Sequence, residues 1–96
     1  MNANPFLQLA KRYRNTTTGV LAGDGFVLTL HDTDIVKVTG ETLVALNSGG
    51  WDTATTKKRM NEGLKALGSS LRVTQFSYTW YIDGEEFYDG ITVTLP

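Results

Sequence analysis

Residues 47–68 read NSGGWDTATTKKRMNEGLKALG, and this stretch decides the fold. Asn47-Ser48-Gly49-Gly50 is the strongest chain breaker in the sequence, because glycine takes positive φ without a Cβ penalty and Asn tolerates it. Either Asp52 or Thr53 then offers an N-cap oxygen to the free amides of a first helical turn, and Met60, Leu64 and Leu67 form one apolar stripe at i, i+4 and i+7. Gly68 stands where a left-handed C-cap is expected. The pattern predicts a helix over roughly residues 54–67. Gly63 inside it costs about 1 kcal/mol relative to Ala, so it is expected to face a sheet at close range.

The sequence on either side reads as strand. Upstream, Gly25 to Val38 is two β-branched runs split by the turn-prone Asp32-Thr33-Asp34. After a break at Gly40-Glu41, Thr42-Leu43-Val44-Ala45-Leu46 is apolar densely enough for a central strand, which makes three strands of a meander. Downstream, strict alternation puts Phe76, Tyr78, Trp80 and Ile82 on one face, while Leu71 and Val73 have the opposite parity, so a bulge or bend is expected near Thr74-Gln75. Asp83-Gly84 predicts a type I′ hairpin that sets Trp80 opposite Phe87. A last strand carries Ile91, Val93 and Leu95 on alternate positions beyond a kink at Gly90.

The expectation is an α+β fold, an antiparallel sheet of about five strands in the order β-β-β-α-β-β with one helix packed on one face. The first 15 residues read as an irregular or short helical N-terminal arm, in which Pro5 to Lys11 forms one helical turn or two, and Thr16 to Ala22 reads as an edge strand.

Composition bounds the function. A chain of 96 residues with 41% apolar and 20% charged side chains supports one core, so residues 1–96 are expected to form a single domain. A net charge of −1 and a pI near 5.7 provide no global field for nucleic acid or anionic lipid, so any such contact must be local. With no cysteine, disulfides, Cys-ligated zinc, iron–sulfur clusters and thiol nucleophiles are excluded. Lys11, Arg12 and Arg14 follow the apolar Phe6-Leu7 segment instead of preceding it, and no run approaches the ~18 apolar residues of a membrane span. The reading is a cytoplasmic protein without a membrane partner.

Catalytic constellations are sparse. His31 is the only histidine, and a triad built on it would need Asp32 or Asp34 with Ser48, Ser69, Ser70 or Ser77, none of which lies in a nucleophile-elbow pattern. His31-Asp32-Thr33-Asp34 suits a polar turn better than a divalent cation site, since strand-turn spacing converges only one pair of ligands. The glycine-rich turn matches neither the Walker pattern nor GxGxxG. No catalytic residue, metal or cofactor is assigned.

One local rule is broken. Lys57, Lys58 and Arg59 occupy the first two turns of the helix, where the dipole disfavours cations. With Thr55, Thr56 and the flat ring of Trp51 they would suit a phosphate with a stacked base, so Thr55, Thr56, Lys57, Lys58 and Arg59 are the candidate binding residues. The competing reading makes Trp51 a core staple, the threonines caps, and Lys58 or Arg59 a partner for Glu62. Among the later aromatics, the even-numbered members read as core under the helix. Tyr81 and Tyr88, with Glu85 and Glu86, form an alternative protein-contact patch whose acidity would repel phosphate.

The string Leu46-Asn47-Ser48-Gly49-Gly50-Trp51, followed by Thr53, Thr55-Thr56-Lys57, Arg59 and Asn61, resembles a family of small uncharacterised bacteriophage and prophage proteins. Members are similar in a strand pair like His31 to Val36, a later strand with a tryptophan like Trp80, and a closing segment like Phe87 to Thr92, so the likeness covers roughly residues 30–93. The resemblance supplies no catalytic residues. It implies a phage accessory protein acting in the host bacterial cytoplasm, a non-enzymatic binding module for nucleic acid or a host protein. The alternative is a protein-binding inhibitor of a host anti-phage or CRISPR complex, and a small enzyme ranks third. The edge strand Gly90 to Leu95 offers a route to a homo-oligomer.

Overall fold

A computed structural model describes residues 4–22, 25–40 and 42–95. Residues 1–3 of the expected arm and Glu41 of the Gly40-Glu41 break lie outside the described residues. Helix α1 spans Asn4–Arg12 and helix α2 spans Ala54–Ala66. The strands are β1 (Thr17–Ala22), β2 (Gly25–Leu30), β3 (Thr33–Thr39), β4 (Leu43–Leu46), β5 (Thr74–Phe76), β6 (Thr79–Ile82), β7 (Glu85–Glu86) and β8 (Ile91–Thr94). The fold is α+β, as expected, with a five-stranded antiparallel sheet in the order β1-β2-β3-β4-β8. A second sheet of three short strands, β5-β6-β7, adds to it.

Both helices cover one face of the large sheet. Phe6 and Leu9, three apart on α1, are buried with Phe26 and Leu28 of β2, and Lys11 and Arg12 complement the dipole at the end of the helix. Met60, Leu64 and Leu67 are buried as the stripe predicts. Gly63 does face the sheet, and a Cβ there would stand 3.2 Å from Val36 Cγ2 and 3.3 Å from Leu28 Cδ2, so the absent side chain sets the distance between α2 and β2-β3. A register shift at Leu28/Thr29 sets Ile35 and Val36 together against β2, which explains why two consecutive residues are both fully buried. The β2-β3 turn comes one residue earlier than expected, at His31-Asp32, because Thr33 and Asp34 already belong to β3.

Residues 71–82 correct the sequence reading. They form no single strand with a bulge; the chain reverses at Ser77-Tyr78, where φ is 50° and 69°, and β5 pairs antiparallel with β6. Phe76 and Tyr78 are therefore exposed, and only Trp80 and Ile82 of the four aligned residues enter the core. The next turn is as predicted: Asp83 and Gly84 take φ of 52° and 76°, Phe87 N donates to Trp80 O at 2.8 Å, and the two rings meet edge-on at 5.4 Å. Past Asp89-Gly90 the chain leaves the small sheet and joins the large one as β8, burying Ile91, Val93 and Leu95.

Serine and tyrosine in successive left-handed positions are strained, by on the order of 1 kcal/mol or more each. Replacing Ser77-Tyr78 with Asn-Gly, the pair this turn favours, should raise unfolding stability by about 1 kcal/mol in chemical denaturation.

Candidate functional site

The turn that opens α2 is built from its own polar side chains. Asn47 Oδ1 accepts from Gly49 N at 2.7 Å, and Ser48 Oγ accepts from Gly50 N at 3.2 Å. The buried Ser48 also donates both its backbone N, at 2.7 Å, and its hydroxyl, at 2.8 Å, to Asp89 Oδ1, which fastens this turn to the segment before β8. Thr53 is the N-cap, accepting from Thr56 N at 3.2 Å.

Trp51 is 67% exposed and staples nothing; the turn is closed by polar bonds instead, and the indole projects into solvent. The five predicted contact residues divide. Thr55 and Lys58 are exposed, and the half-buried Lys57 donates from Nζ to Gln75 Oε1 at 2.9 Å. Thr56 is buried with its hydroxyl 3.1 Å from that of Thr53, so it belongs to the cap. Arg59 is only 8% exposed. Its guanidinium lies 3.3 Å from the centroid of the Tyr13 ring and donates to Glu62 Oε1 at 2.8 Å. The same carboxylate accepts from the Tyr13 hydroxyl at 2.8 Å through Oε2 and has Arg12 at 3.6 Å. Arg59 thus locks α1 to α2 and is not presented to a ligand.

Two cations missed in the sequence take its place. Lys65 lies two turns on from Lys58, at i+7, and Asn61 brings Arg72 alongside by clamping Val73, donating to its carbonyl at 2.9 Å and accepting from its N at 2.7 Å. A shallow groove of about 370 Å3 results, lined by Lys57, Lys58, Asn61, Glu62, Lys65 and Arg72. The i, i+7 spacing of Lys58 and Lys65 was a usable signal; the approach of Arg72 depends on tertiary structure. At the entrance of the helix lies a larger cleft of about 500 Å3, with Leu30 and Ile35 as apolar lining and Trp51, His31, Asp32 and Thr55 around them.

The other sequence candidates are scattered. The Asp34 carboxylate accepts from Thr29 Oγ1 at 2.7 Å, and Ser48, which lines the Trp51 cleft with His31, is bound to Asp89 instead. Among the described residues no three His, Asp or Glu side chains converge as metal ligands. Of the alternative patch, Tyr81 is half-buried, while Glu85, Glu86 and Tyr88 are exposed.

Over residues 1–94 the chain matches the family model described as Kyanoviridae Gp96 protein. The chain belongs to that family. The match supports a phage origin and extends past the roughly 30–93 span of the resemblance seen in the sequence. No curated protein and no solved structure matches. In this family member, no helix among the described residues is long and apolar enough to cross a membrane.

The Glu62 carboxylate offsets an arginine that is nearly buried. Glu62→Ala should therefore lower unfolding stability by about 3 kcal/mol, the range for breaking a buried pair, whereas Lys58→Ala should stay within about 0.5 kcal/mol of the parent; thermal and urea denaturation measure both.

Proposed function

We propose that this phage protein is a non-enzymatic module that binds single-stranded nucleic acid along the solvent face of α2. The observation that carries the reading is the charge of that face. Lys57, Lys58, Lys65 and Arg72, four of the nine cationic residues in the chain, line one groove, and the one carboxylate among the described residues that line it, Glu62, is already engaged by Arg59, Tyr13 and Arg12. The groove is positive although the protein as a whole is not, and phosphates are attracted by local fields of this kind.

The ring of Trp51 supports a single strand over a duplex. It stands in solvent beside an apolar cleft at the entrance of the same helix, where an unpaired base has a flat partner and paired bases have none. Thr55 of the cleft and Lys58 of the groove are i, i+3 neighbours, about 5–6 Å apart at Cβ, so base and phosphate subsites adjoin.

Fluorescence anisotropy with labelled oligothymidine at low salt tests this. Binding should weaken with salt along a slope of about −2 to −3 in log–log form, as expected for three or four phosphate contacts. Lys57→Glu with Lys58→Glu should reduce affinity about 10-fold or more, and Trp51→Ala should reduce it about 5-fold or more for the single strand alone. Absence of binding, or an unchanged affinity in the charge-reversed protein, overturns the proposal.

A further inference from the structure

The other side of the 47–52 turn has the opposite chemistry. A cleft of about 280 Å3 is lined by Tyr78, Trp80 and Tyr88 together with Asp52, Glu86 and Asp89, and among the described residues no lysine, arginine or histidine lines it. Trp80 is buried and forms the inner wall, while Tyr78 is 96% and Tyr88 62% exposed. Aromatic faces carry negative potential, so the rings and the three carboxylates attract the same kind of group and repel phosphate.

Two features hold this arrangement in place. Asp89 is fixed by both bonds from Ser48 through one oxygen, which leaves its second oxygen without a hydrogen bond from the described residues. Tyr78 is brought to the cleft by the two-residue β5-β6 turn, in whose left-handed second position glycine would be relaxed. The volume falls below the usual range for small-molecule sites, ~300–1,000 Å3, but suits the end of one long side chain. Exposed aromatic surface continues past the cleft through Phe76 on the same hairpin, which is more ring area than a free small cation would cover.

We propose that this cleft receives an arginine side chain from a basic segment of a polypeptide partner, with the guanidinium stacked on the tyrosine rings and paired to the carboxylates. Arginine fits better than lysine because its planar, weakly hydrated cation stacks and donates in the same plane. The inference is independent of the nucleic-acid reading, since it uses another face and a ligand of opposite charge.

Amide NMR shifts of the intact protein during titration with a capped Gly-Arg-Gly-Arg-Gly peptide test it. Saturable shifts should concentrate at Asp52, Thr79 and Phe87 to Asp89, and the same peptide with citrulline for arginine should bind about 5-fold more weakly or worse. Glu86→Gln should weaken the arginine peptide about 3-fold. Tyr78→Gly should weaken it about 3-fold or more while leaving thermal stability equal or higher, which separates loss of the ring from loss of the fold. The proposal is overturned by shifts spread over the whole surface, by equal binding of the citrulline peptide, or by unchanged binding in Tyr78→Gly. Concentration-dependent shifts of the same amides without peptide also overturn it, because a second copy's cationic helix would then be the occupant.

Discussion

One carboxylate oxygen ties the entrance of α2 to the segment that leads into β8. Asp89 Oδ1 accepts from both the backbone and the hydroxyl of Ser48, 41 residues away, and Ser48 Oγ in turn accepts from Gly50 N. Bonds to a carboxylate acceptor are among the stronger ones available to a small domain, and here they join the segment between β4 and α2 to the segment between β7 and β8. Gly90 N donates to Leu46 O at 2.8 Å, so the same junction starts β8 beside β4. Ser48 lines both the Trp51 cleft and the acidic aromatic cleft. Their separation, and the orientation of the α2 entrance between them, follow from this clasp.

From the clasp, α2 runs across the sheet at a distance set by Gly63 and is fixed against α1 by Arg59, Glu62 and Tyr13. That lock has an electrostatic consequence. Glu62 lines the groove, but its charge is balanced by Arg59, so it offsets little of the positive potential of Lys57, Lys58, Lys65 and Arg72. The unfavourable placement of lysines in the first turns of a helix is thus accompanied by a cationic surface, and departures from local preference of this kind are where function is sought.

The parts legible in the sequence were those fixed by local chemistry: the Thr53 cap, the Met60, Leu64 and Leu67 stripe, the approach at Gly63, and the Asp83-Gly84 turn. The Ser77-Tyr78 turn was not legible, because neither residue favours positive φ and the alternation of Phe76, Tyr78, Trp80 and Ile82 looks continuous across it. Arg59, read as a contact residue, is inside, and Trp51, read either as a stacking ring or as a core staple, is outside. Helical spacing marks a boundary position such as Arg59 as neither face, and its burial depends on Tyr13 from a distant segment. Arg72 reached the groove through the Asn61 clamp on Val73, a long-range contact with no periodic trace.

The most direct measurement uses the two tryptophans separately. In a Trp80→Phe protein the one remaining indole is Trp51, and its fluorescence reports on the surface assigned to the base. Solvent-type emission that acrylamide quenches freely, and that oligothymidine then quenches to saturation while shielding the ring from acrylamide, is the predicted result. Emission that starts shielded, or that stays unchanged while the oligonucleotide binds, would contradict the account.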